Sequence, residues 1–422
     1  MITAEIITIG TEIMLGQIVD TNARYIAKIL TGKGILVLFQ TSVGDDKELL
    51  KNALSLGSDR VDLIITTGGL GPTINDITRE AIADFFNVTL VTDQEAQNRI
   101  QKYLMDRHVN RQDEYKKQAL IPEGASVLYN DNGTATGFII RRDNKEIVCL
   151  PGVPREMQSM LNKYLEIYAE QQIADEGCTL TRYLHTFGIS ERAVEDIVKD
   201  SLVKEGQMKA MTLVLDGIVT INILTTTTKR EYAVKILDTV EEDIRNKCGH
   251  AVFGAGDETL EYAVAMLLHK SNKTIAVAES CTGGLVSDKL TNIPGISEFF
   301  LGGVVAYSNK AKVDILDVPE EFILNHGAVS PQVAKAMAEG IQKRVSSNIG
   351  VGITGIAGPT GETKGKPVGL VYIAAVGNGF AEVKECRFRG SRIDIKNFSA
   401  NTALNMIRLK LINDCKLHGQ AG

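Results

Sequence analysis

"VDLIITTGGLGPTINDITREA", residues 61–81, decides the fold. An apolar run rich in β-branched residues stops at a pair of glycines. A helical pattern resumes after Asp76. Buried strand, glycine turn and helix in that order form the repeating unit of a parallel sheet covered by helices. The neighbouring segments carry the same rhythm. "AEIITIG" (4–10) is a strand ending in Gly, and "TNARYIAKILTGKG" (21–34) spaces Ala23, Ile26, Ala27 and Leu30 as one helical face. "ILVLFQT" (35–41) is a second strand and "DKELLKNALSLG" (46–57) a second helix. Residues 1–170 therefore read as an α/β domain with a doubly wound, mostly parallel sheet. "GFIIRRDNKEIVCLPG" (137–152) breaks the alternation and reads as a hairpin around "RDNK" at the sheet edge.

Further along, the pattern shifts. Residues 171–255 give a small α+β connector: strand "RYLHTFGI", Ser-capped helix "SERAVEDIVKDSL", strand "GIVTINILTTTT" and a helix over "KREYAVKILDTVEEDIRNKCG". Residues 256–422 alternate again, as a second α/β domain. "KTIAVAES" and "SEFFLGGVVAYS" are strands, "SPQVAKAMAEGIQKR" is a helix opened by Ser-Pro, and "NIGVGITG" is a strand into glycines. "VGLVYIAAVG" pairs with "AEVKECRFR", and a long helix closes the chain. "TGGLGPT" (67–73) and "TGIAGPT" (354–360) share one pattern with unlike flanks. A glycine turn at the carboxyl end of a strand presents bare N–H groups, a solution for binding phosphate that this chain uses twice.

Composition narrows the classes. Hydrophobic residues make up 44% and charged residues 23%, and the net charge is −6. This acidic balance argues against nucleic acid and anionic membranes as partners. The six cysteines form no CxxC and have no His at ligand spacing, which argues against structural zinc and for reduced thiols. "MITAEIITIGTEI" lacks the basic start and apolar core of a signal peptide, and no apolar run reaches the roughly 18 residues of a membrane span. A cytoplasmic protein is expected.

Two constellations carry chemistry. "GTEIMLGQIVDTN" (10–22), "VGDD" (43–46) and "TTGGLGPTINDITREA" (66–81) each follow a strand and converge at one sheet edge. They bring Glu12, Asp20, Asp45 and Asp76 beside glycine backbone. Carboxylates repel phosphate unless a divalent cation lies between, so pyrophosphate hydrolysis with a metal is one reading. A plain helix cap at Asp76 is the other. In the second constellation, "AESCTGGL" (278–285) sets Ser280 on a strand-to-helix turn, with "CTGGLVSDKL" reading as a helix that starts at Cys281 and whose N–H groups stabilise an oxyanion. "AYSNKAK" (306–312) offers Tyr307 and Lys312 as partners, and His326 is a rival base. "GITGIAGPTG" adds an anion-binding turn, and "RFRGSR" adds Arg387, Arg389 and Arg392. The bland alternatives are a capping serine, a solvated lysine and a core cysteine at Cys281.

"GTEIMLGQIVDTN", "TGGLGPTINDIT", "NDNGTATGF" (130–138) and "LPGVPREM" (150–157) resemble the molybdopterin-binding-like domain of the CinA family, which shares its fold with molybdopterin adenylyltransferases. That family carries two aspartates after "GLGPTx", and here the first is Asn75. The resemblance implies an ADP-ribose pyrophosphatase that forms AMP and ribose 5-phosphate with a divalent metal ion. By motif, Gly69, Gly71 and Asp45 bind substrate and Asp76 binds the metal. "AESCTGG", "GGVVAYSNKAK", "HGAVS" and "GITGIAGPTG" resemble the CinA C-terminal domain, a nicotinamide-nucleotide amidase acting on nicotinamide mononucleotide. That resemblance implies Ser280 as nucleophile with Tyr307 and Lys312, and a substrate pocket of Thr282, Gly283, Gly355, Gly358 and Arg392. The amidase needs no cofactor. The middle resembles the KH-like connector of the same family without a GxxG loop, so RNA is not an expected ligand. A homodimer is expected.

Overall fold

The computed structural model describes residues 2–109, 112–142, 145–172, 178–202, 208–227 and 229–419. The chain divides into two compact units, Met1–Thr181 with Leu224–Ile236, and Arg182–Ile223 with Leu237–Gly422.

The first unit contains β1 (Thr3–Ile9), β2 (Leu36–Val43), β3 (Leu63–Thr67), β4 (Leu90–Thr92), β5 (Leu120–Pro122), β6 (Ser126–Leu128), β7 (Gly137–Arg142) and β8 (Lys145–Leu150). Six of them form a sheet in the order β2-β1-β3-β8-β7-β6, and β4 pairs with β5. β2, β1, β3 and β8 run parallel, and β7 is antiparallel to both neighbours. Alternation along β1 sends Ala4 and Ile6 to one core, with Ile26, Leu30 and Leu161. It sends Ile7 and Ile9 to the other, with Leu50, Leu54 and Ile82. Both faces are covered, as apolar strands in a parallel sheet require. The carboxylate of Glu5 is buried within β1 and takes a forked contact from Arg60 and a hydroxyl from Thr41. The expected hairpin is present as β7 and β8, although Asp143 and Asn144 of its turn lie outside the described residues. It does not form the edge of the sheet. The short strand β6 pairs with β7 and takes that place.

Next in sequence come β9 (Cys178–Phe187), β10 (Met208–Leu215), β11 (Ile218–Thr227) and β12 (Val252–Ala255), in the order β10-β11-β9-β12. The sequence reading did not anticipate β10.

The last sheet contains β13 (Ile275–Glu279), β14 (Phe300–Val305), β15 (Ile349–Gly355), β16 (Leu370–Gly377) and β17 (Phe380–Arg387), in the order β14-β13-β15-β16-β17. β14, β13 and β15 are parallel, and β16 and β17 are antiparallel additions. Ile275 and Val277 face the Leu260–Ser271 and Arg392–Gly419 helices. Ala276 and Ala278 face Val333, Met337 and Ile341 of the Pro331–Val345 helix. That helix packs directly on β15, because a Cβ at Gly350 or Gly352 would lie 2.2 Å from a carbonyl oxygen of the helix.

The two large sheets share one topology. The second strand lies on one side of the first and the third strand on the other, as β2-β1-β3 and as β14-β13-β15. The winding reverses at the carboxyl ends of β1 and β13, where doubly wound sheets open a crevice for ligands. Both glycine turns of the shared T-G-x-x-G-P-T pattern follow the third strand.

Candidate active site

Ser280 follows β13 directly. Its N–H donates to the Ile353 carbonyl of β15 (3.0 Å), and the Ala306 N–H after β14 donates to the Glu279 carbonyl (2.8 Å). The residue is thereby fixed among three parallel strand ends.

The helix expected from Cys281 begins only at Leu285. Residues 281–284 form a turn in which Gly283 and Gly284 take φ of +64° and +97°, a region open to glycine. Glu279 supplies the reason. Its fully buried carboxylate accepts from the N–H groups of Gly284 (2.9 Å), Val286 (3.2 Å) and Ser287 (2.9 Å), and from the Ser287 hydroxyl (2.8 Å). A carboxylate at the positive end of a helix is stabilised there. It also removes those amides from any role as oxyanion donors. The signal was legible as an acid at the strand end, a few residues ahead of a Gly-Gly helix start.

Lys312 comes from the Asn309–Leu316 helix, whose N-cap Ser308 accepts from Ala311 N–H (3.0 Å). Its side chain points inward and is 2% exposed. Nζ lies 3.0 Å from Ser280 Oγ, 2.8 Å from the Ala306 carbonyl and 3.4 Å from the Tyr307 carbonyl. No carboxylate pairs with it among the described residues. Burial lowers its pKa from 10.5. An ammonium would donate one N–H to each of these three oxygens; the neutral amine that burial favours donates two to the carbonyls and accepts the serine hydroxyl on its lone pair.

Cys281 belongs to the apolar core, and burial pushes its thiol up to about 12. It is a protonated core residue rather than a nucleophile. The Cys281 and Thr282 amides donate to no oxygen of a described residue, and Thr282 is fully buried with its hydroxyl unpartnered.

Arg392 opens the last helix. It donates to the Gly358 carbonyl (2.6 Å) and to the Tyr307 hydroxyl (2.7 Å), so two of the expected pocket residues meet the expected catalytic tyrosine. Tyr307 is 60% exposed. Gly355 is required by packing, since a Cβ there would lie 2.9 Å from the Leu370 carbonyl oxygen. Two of the expected basic residues are placed otherwise. Arg387 pairs with Glu385 on β17 (2.8 Å), and Arg389 is exposed beyond it. The ring of His326 is exposed and packs edge-on against Phe322 of its own helix.

The first unit places its turn similarly but spends its carboxylates differently. Gly68 has φ +110°, and a Cβ there would lie 2.1 Å from the Ile9 carbonyl oxygen, so β1 and the turn after β3 touch backbone to backbone. Gly69 has φ +64°. Asp76 neither caps the helix that starts at Thr78 nor presents free oxygens to a metal. It accepts from Gly71 N–H (2.7 Å), Thr73 N–H (2.8 Å) and Thr73 Oγ1 (2.6 Å), and so braces its own loop. Asp20 caps the Thr21–Gly32 helix and binds the Thr8 hydroxyl. Behind the loop, fully buried Arg79 donates to the carbonyls of Leu70 (2.7 Å) and Gly71 (3.4 Å), and burial pushes its pKa down to about 10. Asn22 donates to Thr67 Oγ1 (3.0 Å) and the Gly152 carbonyl (2.7 Å), joining the "LPG" turn to the end of β3. The sequence reading singled out neither Arg79 nor Asn22, because their roles depend on chain segments that meet only in the fold.

Among the described residues no three His, Cys, Asp or Glu side chains converge on a metal position. Two carboxylates retain uncommitted oxygens beside the turn. Asp45 holds the Thr11 N–H (3.0 Å) and hydroxyl (2.7 Å) through Oδ2 alone, and Glu12 folds back over Gly10. One or two carboxylates completed by substrate phosphate oxygens form a donor set of the magnesium type, which Asp45 and Glu12 fit, whereas Asp76 already takes two donors on Oδ2 and one on Oδ1.

The "CinA C-terminal domain" family matches residues 257–411, the "Probable molybdopterin binding domain" family 5–171, and the "Damage-inducible protein CinA KH domain" family 181–254. A Caldicellulosiruptor bescii protein named for competence-damage induction is 44% identical over 97% of this chain and 99% of its own length. A CinA-like protein of Dictyoglomus thermophilum is 41% identical over 97% and 99%. A crystal structure of the Agrobacterium tumefaciens competence/damage inducible protein CihA is 40% identical, covering 36% of this chain and 93% of that one, with a TM-score of 0.35.

Proposed function

This chain belongs to the CinA family, and on that premise we propose that its carboxyl-terminal unit hydrolyses the carboxamide of nicotinamide mononucleotide to nicotinate mononucleotide and ammonia. The observation that carries the reading is a fully buried lysine amine 3.0 Å from the hydroxyl of Ser280, at the carboxyl end of β13. Neutral Lys312 takes the hydroxyl proton as Ser280 Oγ attacks the carboxamide carbon. The Cys281 and Thr282 amides, which donate to no oxygen of a described residue and face the Cys281 thiol, turn to receive the oxyanion. Lys312 then returns its proton to the leaving nitrogen, and ammonia departs from an acyl-serine. Water, deprotonated by the same amine, releases the acid and restores the hydroxyl. Tyr307, held by Arg392, borders the opening. The test is direct: the full chain is incubated with nicotinamide mononucleotide. Ammonia and nicotinate mononucleotide in equal amounts are expected, and release of free nicotinamide instead would replace the amidase with a glycosidase.

The first unit supports a second reading, the hydrolysis of ADP-ribose to AMP and ribose 5-phosphate. The amides of Gly69 and Leu70, which donate to no described residue, receive the diphosphate, while the Gly68 and Gly71 amides hold the turn in shape and Arg79 draws the loop carbonyls inward. A divalent cation would be held by Asp45 and Glu12 and would supply charge neutralisation and an acidified water. Asp76 keeps the loop in its binding shape. AMP formation on adding a divalent metal supports turnover. ADP-ribose binding without AMP under any divalent metal makes the unit a nucleotide- or pterin-binding module.

A further inference from the structure

Lys396 stands one helical turn beyond Arg392 on the terminal helix, so both side chains share a face of its first turns. Arg392 reaches Gly358 and Tyr307. Lys396 reaches the other side of the nucleophile's turn, with Nζ 3.8 Å from the position a Cβ would take on Gly283. Lys396 has no ion pair and no hydrogen-bond acceptor among the described residues. The neighbouring acid, Asp394, is committed to Ser391 N–H (2.7 Å) and cannot neutralise it. Glu279 is directed at the opposite helix start. An unclaimed ammonium therefore lies over a left-handed glycine turn three residues past Ser280, one helical turn from a guanidinium that joins Gly358 to Tyr307.

We propose that Lys396 is the residue by which this site selects a phosphorylated substrate, anchoring the phosphate that Arg392 approaches from one helical turn away. The assignment rests on the amidase reading of Ser280. A fixed cation favours a dianionic phosphate through charge-assisted hydrogen bonds, while the same compound without its phosphate gains nothing from it. The carboxamide carbon and the phosphate are the two ends of one mononucleotide, so Lys396 acts on binding and positioning and takes no part in proton transfer.

The experiment compares ammonia release from nicotinamide mononucleotide and from its dephosphorylated riboside, using the wild-type chain, Lys396→Gln and Lys396→Arg, each checked for an unchanged unfolding transition. Lys396→Gln is expected to raise KM for the nucleotide about 10- to 100-fold, the size of one lost charge-assisted contact, with kcat little altered. The preference for nucleotide over riboside should fall by the same factor, and Lys396→Arg should restore most of it. An unchanged preference in a folded Lys396→Gln protein overturns the assignment while leaving the amidase intact. Absence of ammonia from both substrates with the wild-type chain overturns the amidase reading, and Lys396 falls with it.

Discussion

The ends of β1 and β13 occupy the same topological position, and the same glycine pattern follows the third strand in each unit. Their chemistry differs because of what was buried beside them. At β13 the neighbouring helix turns a lysine inward, and the amine lies against a hydroxyl with no carboxylate to hold its proton. At β1 the neighbouring loops bring carboxylates, and most of those oxygens are consumed in keeping loops in shape. One crevice holds a hydroxyl and an amine already in contact. The other, on the proposed reading, has a backbone cradle that substrate and a cation would complete. A shared topology thus fixes where chemistry can occur and leaves the kind of chemistry to a few buried side chains.

The contrast can be broken most sharply at Ser280. Ser280→Ala should reduce ammonia release by about three orders of magnitude or more, since removal of a nucleophile that works as a unit with its base costs most of the rate. It should leave AMP formation from ADP-ribose unchanged, and a parallel loss in both assays would refute two independent sites.

Lys312→Met comes next, with kcat expected to fall roughly 10²- to 10⁴-fold, the range for loss of a general base. Two pH dependences sharpen it. In the wild type, the rate should climb as pH rises through the Lys312 pKa, which burial holds below 10.5. For stability, the unfolded chain binds a proton that the folded chain lacks between the lowered pKa and 10.5. Wild-type stability therefore rises with pH across that window, and below it folding carries the full cost of a buried charge. Lys312→Met should stabilise the fold at lower pH by roughly 1–2 kcal/mol, a gain that shrinks toward pH 10.5. Chemical denaturation at several pH values measures this, and a gain that grows with pH would contradict the neutral-amine assignment.

Smaller effects separate loop bracing from metal ligation in the first unit. Asp76→Asn keeps the shape but loses charge-assisted acceptance from Gly71 and Thr73. Binding of ADP-ribose should weaken about tenfold by calorimetry even without metal, on the scale of one such bond. Weakening seen only with metal present would return Asp76 to the role of ligand. The smallest change belongs to Cys281→Ala. With its thiol pushed up to about 12, the cysteine contributes packing alone. A stability loss of about 1 kcal/mol with kcat within twofold of wild type is expected, read by unfolding and ammonia assays.

Much of this was legible in the sequence because it depends on local order. Apolar runs and helical patterns gave β1, β2, β3 and the intervening helices to within a few residues, and burial on both faces demands such runs at β1 and β3. The helix placed at Cys281 came out wrong for a non-local reason. Glu279 satisfies the amides of Gly284, Val286 and Ser287, which sets the first helical turn four residues later than Ser280 alone suggests. The hairpin of β7 and β8 was legible too, but not the short β6 that covers it, because a three-residue strand carries too little pattern to be read.

By itself, the sequence determined two α/β sheets, two glycine turns at strand ends, and the residue types gathered around each. The tertiary structure alone decided the protonation logic. Lys312 reads as a surface lysine until the helix that carries it is folded under the Ala306–Tyr307 backbone, where desolvation favours the neutral amine. Asp76 reads as a metal ligand or a helix cap until its own loop closes on it. Charge state depends on surroundings that lie far apart in the chain, and those surroundings exist only once the strands have paired.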